Sequence, residues 1–170
     1  MTTRRLFLSA AVAASLAFAL PVHAQSNPRK LRIALLPDEN ASTIIQNAQP
    51  LKEYLEKTLS REVELIVTTD YSSMIEAMRF GRIEVAYFGP FSYVLAKSKA
   101  DIDAVAVGVS RGSPTYKSVV IVPAGSPIQT VAQLKGKTVG FGDQASTSSH
   151  LVPRATIQDM AGLKADADYK

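Results

Sequence analysis

The chain has 170 residues with 19 basic and 15 acidic side chains and no cysteine. The lack of cysteine excludes a disulfide framework, a thiolate metal site and a lipid anchor on an N-terminal cysteine. Part of the formal charge of +4 comes from Arg4 and Arg5, ahead of the uncharged run from Leu6 to Leu20. With Val22-His23-Ala24 after it, this start reads as an export signal over residues 1–24, of the general secretory or twin-arginine kind. Without those two arginines the charge falls to +2, so the basic balance gives no case for nucleic-acid binding. A bacterial periplasm is the expected destination.

In chain order, Lys30 to Leu36 is predicted to be a covered strand stopped by Pro37. Ile44, Ile45, Ala48, Leu51, Leu55 and Leu59 recur at helical spacing, with Pro50 starting or kinking the main helical section. Val63, Leu65 and Val67 alternate with polar neighbours as a second strand. Asp70-Tyr71 then leads into a helix that turns Met74, Ile75 and Met78 inward and stops at Gly81. A third strand is expected over 83–88, broken by Gly89-Pro90, with a helix from Phe91 to Lys99. Ala104 to Val109 completes the set as a fourth strand.

This alternation predicts an α/β fold with right-handed crossovers and a mainly parallel sheet flanked by helices. In such sheets ligands lie beyond the carboxyl ends of the strands, which selects the loops at Pro37, Asp70, Gly89 and Gly142. The segment 110–117 is rich in Gly, Ser and Pro and is expected to cross into a second lobe. The expected division is therefore a first α/β lobe over 25–113 and the crossing with the start of a second over 114–170. Further strands are predicted over 118–122 and 138–141, with a short helical piece over 128–134 between them. The second lobe looks incomplete, and the chain is expected to be the front part of a longer protein.

The stretch from Gly142 to Pro153 stands where the strand 138–141 hands over to a helix ending near Gly162. The opening N–H groups of a helix have no internal partners and carry the positive end of its dipole. Ser146, Thr147, Ser148 and Ser149 add four hydroxyls at that point, although one suffices to cap a helix. Together these uncharged donors suit a tetrahedral oxyanion. Pro153 implies that the helix begins near His150 or is irregular in its first turns. No metal-ligand cluster is evident.

Four motifs in register carry a resemblance. They are the run from Asp70 to Phe80, Ala86-Tyr87-Phe88-Gly89-Pro90, Gly112-Ser113-Pro114-Thr115-Tyr116, and Ser146 to Pro153. Together they resemble the phosphate/phosphite/phosphonate-binding proteins of bacterial ABC importers, from about Leu31 to the last residue. The resemblance implies a two-lobed periplasmic binding protein of type II that traps a small phosphorus oxyanion and delivers it to an inner-membrane permease. It implies no catalysis and no cofactor, and a monomer is expected. Carried over by position, Ser146-Thr147-Ser148 matches the family's oxyanion-gripping run, while Tyr71 and Tyr116 match tyrosines after the second strand and at the lobe crossing. Ser149 replaces a residue that is glycine in some members, and His150 is a further candidate contact.

Two other function classes remain in view. A secreted serine hydrolase would use Ser148 or Ser149 as nucleophile and His150 as base, but no Gly-x-Ser-x-Gly elbow is present. An extracytoplasmic sensing domain of a signalling receptor would share the binding chemistry without the permease.

Overall fold

One strand divides the N-terminal part of the protein into two packed faces. In a computed structural model describing residues 27–170, β1 (Lys30–Leu35) turns Ile33 and Leu35 to one side, where they meet Val63. Ala34 turns to the other side and, with Leu36 just beyond the strand, meets Met74, Ile75 and Ala96. The two-residue repeat of a pleated strand thus feeds two apolar clusters from a single hydrophobic run. The expected export signal lies outside the described residues.

β2 (Glu62–Val67) and β3 (Val85–Ala86) both pair with β1 in parallel, giving the order β2-β1-β3. Lys30 lies opposite Glu62, and Ile33 lies opposite both Leu65 and Val85. Parallel neighbours need crossover connections, and helices supply them. α1 (Ala41–Leu59) covers the Ile33 face with Ile44, Ala48 and Leu55. α2 (Tyr71–Arg79) and α3 (Pro90–Lys97) cover the Ala34 face, where Met74 is fully buried. Burial of a side chain of that size contributes about 1.5–3 kcal/mol.

Asn40 caps α1 by accepting the Ser42 N–H at 3.0 Å. Pro50 sits inside this helix rather than at its start. It removes one main-chain donor on an exposed face, where water can meet the carbonyl left over. Glu84, just before β3, accepts the main-chain N–H of Arg32 at 2.7 Å and its Nε at 3.1 Å. Arg32 Nη2 pairs with the same carboxylate and donates to the Gly81 carbonyl at 3.0 Å, so the approach to β3 is pinned against β1. The hydrogen bonds from Arg32 hold the Glu84 carboxyl below its usual range, against the opposing effect of burial.

From β3 onward the structure departs from expectation. The third strand shrinks to Val85–Ala86, and no regular strand forms over 104–109, 118–122 or 138–141. Val105 and Ile121 are 88% and 86% exposed. Their segments have the composition of strands, but a strand exists only through main-chain partners, and among the described residues these two runs have no ladder to join. Residues 137–139 do find a neighbour: the Val139 N–H donates to the Lys170 carbonyl at 2.6 Å, and the Lys170 N–H to the Lys137 carbonyl at 3.0 Å.

A separate cluster occupies the C-terminal part, with Leu134, Ile157, Leu163 and Tyr169 buried and Val139 and Phe141 packed against them. It draws on a short 3-10 turn (Val131–Leu134) and on α4 (Val152–Ala161), which Gly162 ends in the left-handed conformation. Ala145 does not follow its neighbours into this cluster. It is buried in the one formed by Ala34, Tyr71, Met74 and Ala96, so the turn before α4 is seated in the N-terminal layers.

Candidate ligand-binding site

Pro153 shapes the turn that holds the hydroxyl run. In a continuous α-helix the N–H of residue 153 would donate to the Ser149 carbonyl, but proline has none. That carbonyl instead accepts the Gly142 N–H at 2.9 Å. The chain widens into one π-helical turn, Thr147–Leu151, in which the Leu151 N–H reaches the Ser146 carbonyl at 3.0 Å, before α4 begins at Val152. The irregular first turns expected from the sequence are present. Gly142 is required beside them, since a Cβ there would lie 2.1 Å from Ser149 Oγ.

The four hydroxyls have different partners. Ser146 is the cap: its Oγ accepts the Ser149 N–H at 3.3 Å and the Ser149 hydroxyl at 2.7 Å. It is buried and also faces the Tyr71 phenol. Thr147 Oγ1 accepts the Phe91 N–H of α3 at 2.8 Å. The Ser148 carbonyl accepts the Ser118 hydroxyl at 2.8 Å, which ties the crossing segment to the turn. The Ser148 hydroxyl itself has no partner among the described residues, and Ser148 lines a cavity. Thr147 and Ser148 open the π turn, so their N–H groups have no partner within it.

That cavity measures about 540 Å³, within the ordinary range for small-molecule sites. Thr147 and Ser148 border it from the turn, Tyr116, Lys117 and Ser118 from the crossing segment, Pro90 from the start of α3, and Val152 and Ile157 from α4. Of the seven residues singled out from the sequence, Tyr116, Thr147 and Ser148 line it directly. Tyr71 and Ser146 meet each other behind this wall, where burial pushes the Tyr71 phenol above its usual pKa and the Ser146 hydroxyl opposes that shift. Ser149 is turned to Ser146 and Gly142.

His150 lies on another side of the turn. Its Nδ1 is 3.0 Å from the Gly142 carbonyl, which makes that nitrogen the N–H donor. Nε2 is 3.4 Å from Arg154 Nη1, and the ring packs at 5.5 Å from Phe141. Neither ring nitrogen is directed at a serine hydroxyl, so the nucleophile and base of a serine hydrolase are not assembled. Among the described residues there is no cluster of acidic or histidine side chains able to hold a metal ion, and no helix long and apolar enough to cross a membrane.

Asp143 was missed from the sequence. Its Oδ1 accepts the Ala145 N–H at 2.8 Å, its carbonyl the Ser146 N–H at 2.8 Å, and its Oδ2 the Tyr71 N–H of α2 at 3.2 Å. The first two contacts are a local Asx turn, readable from an Asp three residues before a capping serine. The third spans 72 positions and has no local signature.

Residues 33–170 match the family described as ABC transporter, phosphonate, periplasmic substrate-binding protein. The chain is 32% identical over 160 residues to the phosphonates-binding periplasmic protein of Escherichia coli, covering 86% of this chain and 47% of that one. It is 31% identical over 149 residues to the phosphate-import protein PhnD of Mycolicibacterium smegmatis, covering 85% and 46%. The crystal structure of a binding-protein component of an ABC phosphonate transporter from Pseudomonas aeruginosa superimposes with a TM-score of 0.75 at 23% identity, over 84% of this chain and 49% of that one. The chain thus spans about half the length of the curated relatives it matches.

Proposed function

Since the chain belongs to the family of periplasmic phosphonate-binding components of ABC transporters, we propose that it forms the oxyanion-gripping part of a solute receptor for a small phosphorus oxyanion. Members of this family bind substrates and are not enzymes, and their periplasmic setting places the protein outside the cytoplasm. The wider reading is a type II receptor in which a first lobe over 25–113 and a second beginning at 114 close on the ligand. The closed form is then presented to a permease in the inner membrane, with export by the secretory or twin-arginine route and a monomer as the working unit.

The observation that carries this reading is that Thr147 and Ser148, whose opening N–H groups have no partner within the π turn, line one cavity together with Tyr116. A phosphonate oxygen accepts charge-assisted bonds from such donors, each worth about 1.5–3 kcal/mol. Several hold the anion without an arginine, and a receptor that must later release its cargo benefits from donors that add no formal charge. Lys117 on the rim supplies general attraction. The Tyr116 ring, 62% exposed, is placed to cover the ligand as the walls approach.

Calorimetric titration with methylphosphonate, phosphite, phosphate and 2-aminoethylphosphonate tests this. The expected result is saturable binding of at least one of the four without turnover. Binding of none, or hydrolysis of any, overturns the proposal.

A further inference from the structure

The turn 142–149 has more hydrogen-bonding capacity than its own fold uses. Ser146 caps the π turn, and one carboxylate oxygen of Asp143 with its carbonyl completes the Asx turn. The other Asp143 oxygen and the Thr147 hydroxyl are surplus to local structure, and both reach into the N-terminal layers. We propose that Asp143 and Thr147 are positioning residues, a clasp that holds the oxyanion-gripping turn against α2 and α3 and so sets how long a ligand stays.

The helices have matching vacancies. α3 starts from Gly89, which has no side chain to cap it, and its first residue is Pro90, which has no N–H. Phe91 therefore offers the first unmatched donor of that helix, and Thr147 Oγ1 takes it from 56 positions away. α2 has its own cap, Asp70, whose carboxylate takes the Ser73 N–H at 2.6 Å. Asp70 leaves the Tyr71 N–H to Asp143 Oδ2. Between the two contacts Ala145 is buried beside Tyr71 and Met74, so water is excluded from the middle of the seam. Ser148 follows Thr147 directly, and any movement of the turn away from Phe91 carries its hydroxyl and N–H away from the opposite wall. Breaking the clasp thus affects release more than encounter, because docking of a small anion onto exposed donors needs no closed seam.

The residence-time part of this inference rests on the function proposed above; the contacts themselves do not. Amide hydrogen exchange without added ligand, on the wild-type chain and on Thr147→Val, Thr147→Ser and Asp143→Asn, separates the two. Thr147→Val keeps the shape and removes the acceptor, and should speed exchange of the Phe91 amide about three- to tenfold while β1 amides stay unchanged. Thr147→Ser should restore protection, and Asp143→Asn should expose the Tyr71 amide. Stopped-flow with whichever of methylphosphonate, phosphite, phosphate and 2-aminoethylphosphonate the wild type binds should then show faster dissociation for Thr147→Val than for Thr147→Ser. Unchanged Phe91 exchange in Thr147→Val, or no rescue by serine, overturns the clasp. Altered exchange with wild-type dissociation overturns its role in residence. Binding of none of the four anions by the wild type, with exchange responding as expected, overturns the ligand reading and supports the clasp.

Discussion

Gly142 and Ser149 face each other at a separation that leaves no room for a side chain: a Cβ on residue 142 would sit 2.1 Å from Ser149 Oγ and 2.8 Å from Ser149 Cβ. Their main chains are joined by the bond from the Gly142 N–H to the Ser149 carbonyl that Pro153 leaves available. Gly142→Ala should therefore destabilise the chain by about 1–3 kcal/mol, the usual range for overpacking. Because the clash is with one side chain, Ser149→Gly in the same molecule should recover most of the loss. Urea unfolding of the two single variants and the double variant closes the cycle, and additive losses would show that the clash is not the cause.

Ser148 and Ser146 should respond in opposite ways to removal of their hydroxyls. Ser148→Ala should weaken binding of the recognised phosphorus oxyanion about tenfold and leave the melting temperature unchanged, since this hydroxyl holds nothing else in place. Ser146→Ala removes a cap that serves Ser149 and faces Tyr71, and should cost about 0.5–2 kcal/mol of stability. Calorimetric titration and thermal melts on both variants check the contrast.

The tyrosines divide in the same manner. Tyr71→Phe loses a phenol placed against Ser146 behind the cavity wall and should lower the melting temperature. Tyr116→Phe, on the exposed rim, should leave melting unchanged and reduce affinity several-fold, about the worth of one hydrogen bond. Equal melting losses in both would show that Tyr116 is a packing residue.

The Arg32–Glu84 pair predicts an acid limb in stability. Glu84 has its carboxyl pKa depressed in the folded protein. Its contribution is therefore complete above the unfolded value of about 4.3 and is lost as pH falls through the folded value below it. The pair is partly exposed, so its removal should cost only about 1–2 kcal/mol at neutral pH. Glu84→Gln should flatten the stability profile below about pH 4.3 relative to the wild type, as read by urea midpoints across pH.

Much of the N-terminal architecture was legible because its determinants are local. The apolar run at 30–36, the spacing of Ile44, Ala48 and Leu55, and the Asp70 cap each specify an element and a face through adjacent residues. The segment 104–109 shows where that reasoning stops: its valines alternate like those of a strand, but pairing depends on a partner elsewhere in the chain. At the site, Pro153 announced the irregular turn and the serine run announced donors. The assignment of those donors was not legible, because Thr147 is directed by Phe91 and Asp143 by Tyr71, both far away in sequence.

The strand on which the sheet is built comes first in the described chain and ends up in the middle. As the polypeptide lengthens, β1 has no neighbour until residue 62 is available and only one until residue 85. Its two apolar faces are covered one after the other, by α1 and then by α2, so the sheet cannot set early. A fold whose keystone waits for later pieces keeps the growing chain pliable until those pieces arrive.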